Sequence, residues 1–415
     1  MLSFGAAVST APDHQAAIDE ALPAAVATLD GPPDLLACFF SMNHAEAADG
    51  IALALSERGG TASIIGCTGQ GVIAGGREIE RGPALAIWAA HLPGVTVETF
   101  HLAVHELEGE GLAVAGWPAT DPGRQPGVVL LADPFSFPAE AFLERLDETR
   151  PGLAVLGGMV SGAFQPGRHR LIAGLEAHDG GAVGATLVGP VEVRTVVSQG
   201  CRPIGRPFVV TRGEANLVHE LGGRPAVDRL RETLADLDAR DQALLRLGGL
   251  QVGQVIDERK AEFERGDFLI RGLAGVDPEG GAIEVGDTVE LGQTMQFHLR
   301  DANAADEELA LMLAPVPAWE PKGALLFSCN GRGERFFGAP DHDAAMVAEA
   351  TGAVPTAGFF AQGELGPVGG RNFLHGFTAS LALFCEPPVA VAALPALEEE
   401  TPAPEPEPPA APEPA

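Results

Sequence analysis

Arg271 and Arg300 lie near the ends of apparent strands, and a guanidinium fork can hold a carboxylate through two parallel hydrogen bonds. Glu364, flanked by Gly363 and Gly366 with Gln362 beside it, could receive a ligand ammonium group, so that Arg and Glu together would clamp an amino acid. The plainer use of each charge is internal: Arg300 paired with Asp301 or Glu364, and Glu364 accepting from amides of its own loop. Asn330 and Arg332, in the loop Cys329-Asn330-Gly331-Arg332-Gly333, are both candidate ligand contacts, although Asn-Gly favours a turn and a structural role for Asn330 is the plainer one. Cys67, Cys329 and His375 raise thiol chemistry, which needs a base within reach and a lowered thiol pKa; otherwise a buried cysteine is a small apolar filler. Asp341-His342-Asp343 has metal-ligand chemistry, but neighbours at a helix start point apart, so an N-cap at Asp341 is the expectation. His44, next to Asn43, reads as a satisfied loop histidine. No Gly-Lys-Ser/Thr occurs, and Gly66-x-x-Gly69-x-Gly71 lacks dinucleotide spacing, so no cofactor or metal is expected.

These residues belong to a device that recurs three times: apolar strand, polar loop, helix, then a second strand running into a glycine-rich bend. Unit one is Leu35-Leu36-Ala37-Cys38-Phe39-Phe40, a helix near Glu46–Arg58, and Ser63-Ile64-Ile65-Gly66-Cys67-Thr68-Gly69-Gln70-Gly71. Unit two is Val128-Val129-Leu130-Leu131-Ala132, a helix near Ala139–Thr149, and Ala154-Val155-Leu156-Gly157-Gly158-Met159-Val160-Ser161-Gly162. Unit three is Ala324-Leu325-Leu326-Phe327, a helix near Asp341–Thr351, and Gly358-Phe359-Phe360-Ala361-Gln362-Gly363-Glu364. A further apolar run follows each bend, at Ala84–Leu92, Gly181–Val188 and Gly376–Phe384. Repetition implies related α/β units, and glycine lets a backbone approach a ligand closely. Gly66, Cys67, Gln70, Gly158, Gln362, Glu364 and His375 are therefore expected to wall a small-molecule pocket floored by arginine. Gln70-Gly71, Gly75-Gly76-Arg77 and Gly82 match Gln362-Gly363, Gly369-Gly370-Arg371 and Gly376, which points to a duplication relating two halves.

The chain of 415 residues carries a net charge of −31, the wrong sign for nucleic acid or anionic membrane. Its five cysteines form no CxxC pair, which favours reduced thiols in the cytoplasm. The N-terminus lacks a basic, apolar signal segment, and no apolar run reaches spanning length. Residues 14–29 read as a helix despite Pro23, and Val227, Leu230, Leu234 and Leu237 mark a second helix running towards Leu245. From Phe268 to Leu299 the pattern is strand-like, and beyond Pro387 an Ala/Pro/Glu run is expected to be a disordered acidic tail.

Several separated motifs resemble the FIST family. Leu326-Phe327-Ser328-Cys329-Asn330-Gly331-Arg332-Gly333, Gly358–Pro367 and Asn372–Thr378 look like its C-terminal half, as do Asp267–Arg271 and Gln293–Asp301. Gly66–Gly71 and Gln199–Gly205 resemble its N-terminal half. The resemblance implies a FIST N-like α/β domain over 31–222 and a FIST C-like α/β domain over 223–386, flanked by a helical extension (1–30) and the tail (387–415). The expected fold is α/β, two related halves of strand–helix–strand units with mixed sheets. The implied function is intracellular sensing of a small ligand, an amino acid or small carboxylate, with the signal passed to a separate output protein. The alternatives are an interaction scaffold with a vestigial pocket, and a thiol-dependent enzyme.

Overall fold

The computed structural model describes residues 1–107, 111–119 and 126–387. The acidic tail lies outside the described residues. The three units are present, and each builds a sheet of the same order. In unit one the first strand, Leu35–Ser41, runs parallel to the second, Ile64–Gly69, and antiparallel to a return strand, Leu85–His91. Unit two repeats this with Gly127–Ala132, Val155–Met159 and Ala182–Val188. Unit three repeats it with Gly323–Cys329, Thr356–Ala361 and Thr378–Cys385. Outside each return strand lies one more antiparallel strand: Ser3–Ser9, Thr96–Glu106 and Glu192–Gln199 respectively. Ser3–Ser9 has no clear alternation and was not expected from its sequence.

The other flank of each sheet is supplied by a different unit. The bend of unit one leads into the hairpin Val72–Ala74/Arg77–Ile79, which pairs with the second strand of unit three. The hairpin of unit three, Glu364–Val368/Arg371–His375, pairs with the second strand of unit two. The hairpin of unit two, Leu171–Ala173/Glu176–His178, pairs with the second strand of unit one. The exchange is cyclic, so the three sheets close on one another.

Strand alternation explains how the closure is filled. Leu35, Ala37 and Phe39 of unit one, Val129 and Leu131 of unit two, and Leu325 and Phe327 of unit three all point into one shared core. The intervening residues face outwards and are covered locally. Leu36, Cys38 and Phe40 pack with Ile18, Leu22, Ile51 and Leu55; Val128 and Leu130 with Leu143 and Leu146; Ala324 and Leu326 with Leu309 and Val347. Burial on both faces is why these strands read as continuous apolar runs. The covering helices are Ala48–Gly59, Ala139–Thr149 and His342–Thr351, joined by Ala302–Leu313, which carries Leu309, and by His14–Val26, which holds Pro23 within it.

A fourth sheet, from Cys201–Glu214 to Thr294–Arg300, has its own core around Phe208, Leu230, Val252, Ile283 and Phe297. The single helix expected over 227–245 is two, Ala226–Ala235 and Ala239–Arg246. The second starts afresh because Asp238 accepts from the Asp241 amide at 2.8 Å, an N-cap.

The third residue of each second strand is glycine, and the reason is inter-strand. A Cβ on Gly66, Gly157 or Gly358 would strike the carbonyl oxygen of Cys38, Leu130 or Leu326 on the adjacent first strand. Gly66 is therefore not a ligand wall. Nor is Gly158, where a Cβ would come within 2.9 Å of the Ala361 Cβ. Cys67 is fully buried in the shared core.

Candidate functional site

The bends of the three units interlock. The Gln70 amide donates to Ser161 Oγ at 2.8 Å, and Ser161 Oγ in turn donates to the Phe360 carbonyl. Around this junction the expected site residues separate into two clefts and a buried group.

The first cleft, of about 560 Å³, lies between unit one, unit three and the fourth sheet. Gln70, Glu80 and Arg81 come from the bend and hairpin of unit one; Asn330, Arg332, Arg335 and Phe336 from the loop after the first strand of unit three. Arg300, at the end of Thr294–Arg300, and Leu244 and Leu247, at the end of Ala239–Arg246, complete it. Four of the expected residues, Gln70, Arg300, Asn330 and Arg332, thus meet.

Arg332 is held inside. Its Nε and Nη2 reach Asp343 Oδ2 and Oδ1 at 2.7 and 2.9 Å, with both side chains buried. Ser328 Oγ also donates to Asp343 at 2.7 Å. Burial alone would raise the Asp343 pKa, but Arg332, His342 and Ser328 together hold it well below the usual carboxylate range. Arg332 is an anchor of the loop rather than a free binding group. Asp341 sits at the N-cap with φ 61°, but its side chain does not cap the helix; it accepts from the Glu78 amide at 2.6 Å.

Arg300 is different. Its guanidinium lies 4.2 Å from the Phe377 ring centre and 5.1 Å from that of Phe336, and Nη2 donates to the Gly331 carbonyl at 2.6 Å. Its Nε is buried without a hydrogen-bond partner among the described residues. The expected pairing with Asp301 does not form, because Asp301 is taken by Arg202 and Arg240 at 3.2 and 2.7 Å. Burial, together with Arg332 and Arg335 nearby, lowers the Arg300 pKa.

The second cleft, of about 600 Å³, is the counterpart of the first: the loop after the first strand of unit two, the hairpin of unit three and the fourth sheet. Gln362 occupies here the place that Gln70 has in the first, as their matched sequences imply. Two arginines line it: Arg371 is exposed, with its guanidinium 5.5 Å from the Phe373 ring centre, and Arg271 is saturated. It pairs with Asp287 at 2.6 Å and Glu140 at 2.9 Å and donates to the Leu374 carbonyl at 2.9 Å. The internal ion pair is the one that the structure assigns to Arg271.

Glu364 and His375 face neither cleft. Glu364 is fully buried, and its Oε2 accepts from Thr378 Oγ1 at 2.7 Å and from the Thr378 amide at 3.1 Å. Oε1 has no partner among the described residues. Burial pushes the carboxyl up to about 8, which disfavours its charged form, and its enclosure leaves an ammonium group no approach from either cleft. The Arg–Glu clamp is therefore not formed. His375 hydrogen-bonds the Gly366 carbonyl at 3.0 Å, and burial lowers it to about 4. Cys67 and Cys329 are buried, and burial raises both thiols, opposite to the activation a nucleophile needs. The Nε2 of His44 is buried and unpartnered, contrary to the satisfied histidine expected.

Glu364 yields a prediction. A carboxyl whose pKa is about 8 folded and near 4.5 unfolded favours the native state when protonated. That stability is lost as pH rises from about 4.5 to about 8. Glu364→Gln should raise the unfolding free energy at pH 8 by roughly 2–4 kcal/mol and change little at pH 4.5. Denaturant titrations at the two pH values check this, and equal effects at both would exclude the proton as the cause.

Arg81, Arg335 and Glu80 were not expected. The match of unit one to unit three sets Arg81 at the place of His375, and Arg335 follows the Asn330–Gly333 loop. Those positions were the available signals.

A FIST N domain model matches residues 34–224 and a FIST C domain model matches residues 226–367. The chain is 45% identical over 390 residues to the uncharacterized protein Rv0628c of Mycobacterium tuberculosis (strain ATCC 25618 / H37Rv), covering 93% of this chain and 100% of that protein. It is 43% identical over 389 residues to the uncharacterized protein Mb0898c of Mycobacterium bovis (strain ATCC BAA-935 / AF2122/97), covering 93% and 99%. FIST domains are associated with sensory signal transduction. No helix among the described residues is long and apolar enough to cross a membrane. With three strand–helix–strand units in the described fold and both domain models matched in order, the chain belongs to the FIST family.

Proposed function

We propose that this protein is a cytoplasmic sensor that binds a small carboxylate-bearing ligand, an amino acid or a small carboxylic acid, in the cleft around Arg300. A separate output protein receives the signal. The observation that carries this reading is the state of Arg300. A half-buried guanidinium with no carboxylate partner and an orphaned Nε among the described residues is costly to keep unless something else satisfies it. The quasi-equivalent Arg271 provides the contrast, since two carboxylates of the chain itself already neutralise it. Gln70 and Asn330 add amide donors and acceptors to the cleft, and its volume suits a metabolite.

Thermal and denaturant melts against amino acids and small carboxylates test the proposal. A ligand at 100 times its dissociation constant should add about 2.7 kcal/mol to the wild-type stability. Arg300→Ala should fold and lose that gain, whereas Gln362→Ala, in the other cleft, should keep it. A panel that stabilises neither protein, or stabilises both equally, counts against the cleft as the ligand site.

A further inference from the structure

The charges around the cleft narrow the ligand class, and this step rests on the reading above. Arg81 and Arg335 are exposed at the mouth, Arg300 is half-buried within, and none of the three has a carboxylate partner among the described residues. The fourth arginine, Arg332, is spent on Asp343. One carboxylate lines the cleft, Glu80, and its Oε1 accepts from the Glu334 amide at 2.7 Å. The cleft therefore presents three guanidinium groups against one engaged carboxylate, on a protein whose net charge is −31. Arginine forks match the planar or tetrahedral oxygen arrays of carboxylates and phosphates.

An α-amino acid fits this charge set poorly. Its carboxylate would be welcome, but its ammonium group would meet guanidinium groups. Glu364, the acid expected to receive that group, hydrogen-bonds Thr378 inside the fold. We infer that the cleft selects a compact organic dianion without an ammonium group, a dicarboxylate or a phosphate monoester, over a zwitterionic amino acid. Two negative charges offset the excess of two positive ones, and the side-chain amides of Gln70 and Asn330 supply neutral hydrogen bonds to the remaining oxygens.

Isothermal titration of the full chain at fixed ionic strength with succinate, glycerol phosphate, acetate and glutamine tests the assignment. Succinate or glycerol phosphate should bind at least about tenfold more tightly than acetate or glutamine; succinate binding better keeps the carboxylate of the proposed ligand, and glycerol phosphate binding better replaces it with a phosphate. Arg81→Gln and Arg335→Gln, both at exposed positions, should each weaken the dianion about tenfold and change acetate binding much less, with unfolding midpoints unaltered. Glutamine binding as tightly as the dianions, and depending on Arg300, would overturn the dianion assignment and leave the proposed sensor intact. Dianion binding insensitive to Arg81, Arg335 and Arg300 would place it elsewhere and overturn the assignment. Binding of none of the four probes would overturn both.

Discussion

Asp343→Ala is expected to lower the stability of the folded chain by about 3–5 kcal/mol, the usual cost of leaving one member of a buried ion pair behind. Arg332 is 3% exposed and has no other carboxylate bonded to it among the described residues, so removing Asp343 strands a buried cation. Ser328 Oγ and His342 Nδ1 lose a partner in the same step. The defect should also reach the ligand cleft, because Arg332 ties the Asn330–Gly333 loop to the helix His342–Thr351. Replacing both members, Arg332→Met with Asp343→Leu, should cost much less, since no charge is then left unpaired. Urea titrations of the two variants beside the wild type check this. A single variant within about 1 kcal/mol of wild type would mean that water reaches Arg332 and the pair is not dry.

A still larger effect is expected on cutting the chain at the boundary between its two matched regions. A fragment of residues 1–225 contains the first two units complete in sequence but not in structure. The second strand of unit two loses its neighbouring hairpin Glu364–Val368/Arg371–His375, and the hairpin Val72–Ala74/Arg77–Ile79 loses the strand it pairs with. The aromatic contacts are cut as well. Phe4 and Trp88 pack on Phe384 with ring centres 5.6 and 4.9 Å apart, and Phe39 stacks on Phe359 at 5.4 Å. Exposing each such side chain forfeits roughly 1.5–3 kcal/mol, against a total stability of about 5–15 kcal/mol for ordinary domains. The fragment should show no cooperative melt and should aggregate through its bare sheet edges. Co-expression with residues 226–415 should recover soluble material. A fragment that melts cooperatively near the full-length midpoint would mean that the exchanged hairpins contribute little.

The units themselves were legible because their signals are local. Continuous apolar runs such as Leu35–Phe40 and Val128–Ala132 mark strands covered on both faces, and the helix Ala139–Thr149 shows the residues expected of it. The cyclic exchange was not legible. Val72 pairs with Phe359 and Glu364 with Gly158, and three-residue strands such as Val72–Ala74 are too short to carry an alternation. The site was half legible for a related reason. Residue type and position at a strand end single out Arg300, Asn330, Arg332 and Gln70, but whether an arginine is already paired depends on distant acids. Glu140 and Asp287 neutralise Arg271, while no carboxylate among the described residues pairs with Arg300, and only the assembled fold distinguishes the two. Glu364 misled because glycines on either side suggest an open loop, whereas here they let a strand pack closely. A Cβ on Gly366 would approach Val197 Cγ2 at 2.6 Å.

The ring of borrowed hairpins also bears on how such a protein can be inherited. A recombination event that copied one matched region into another gene would deliver sheets lacking their outer strands, and selection would meet an aggregating product. Shuffling should then preserve the pair as an indivisible cassette, with new modules accepted at its ends rather than at its middle. The alignments with the mycobacterial relatives, which cover 99–100% of those chains and 93% of this one, are what descent as one cassette would leave behind.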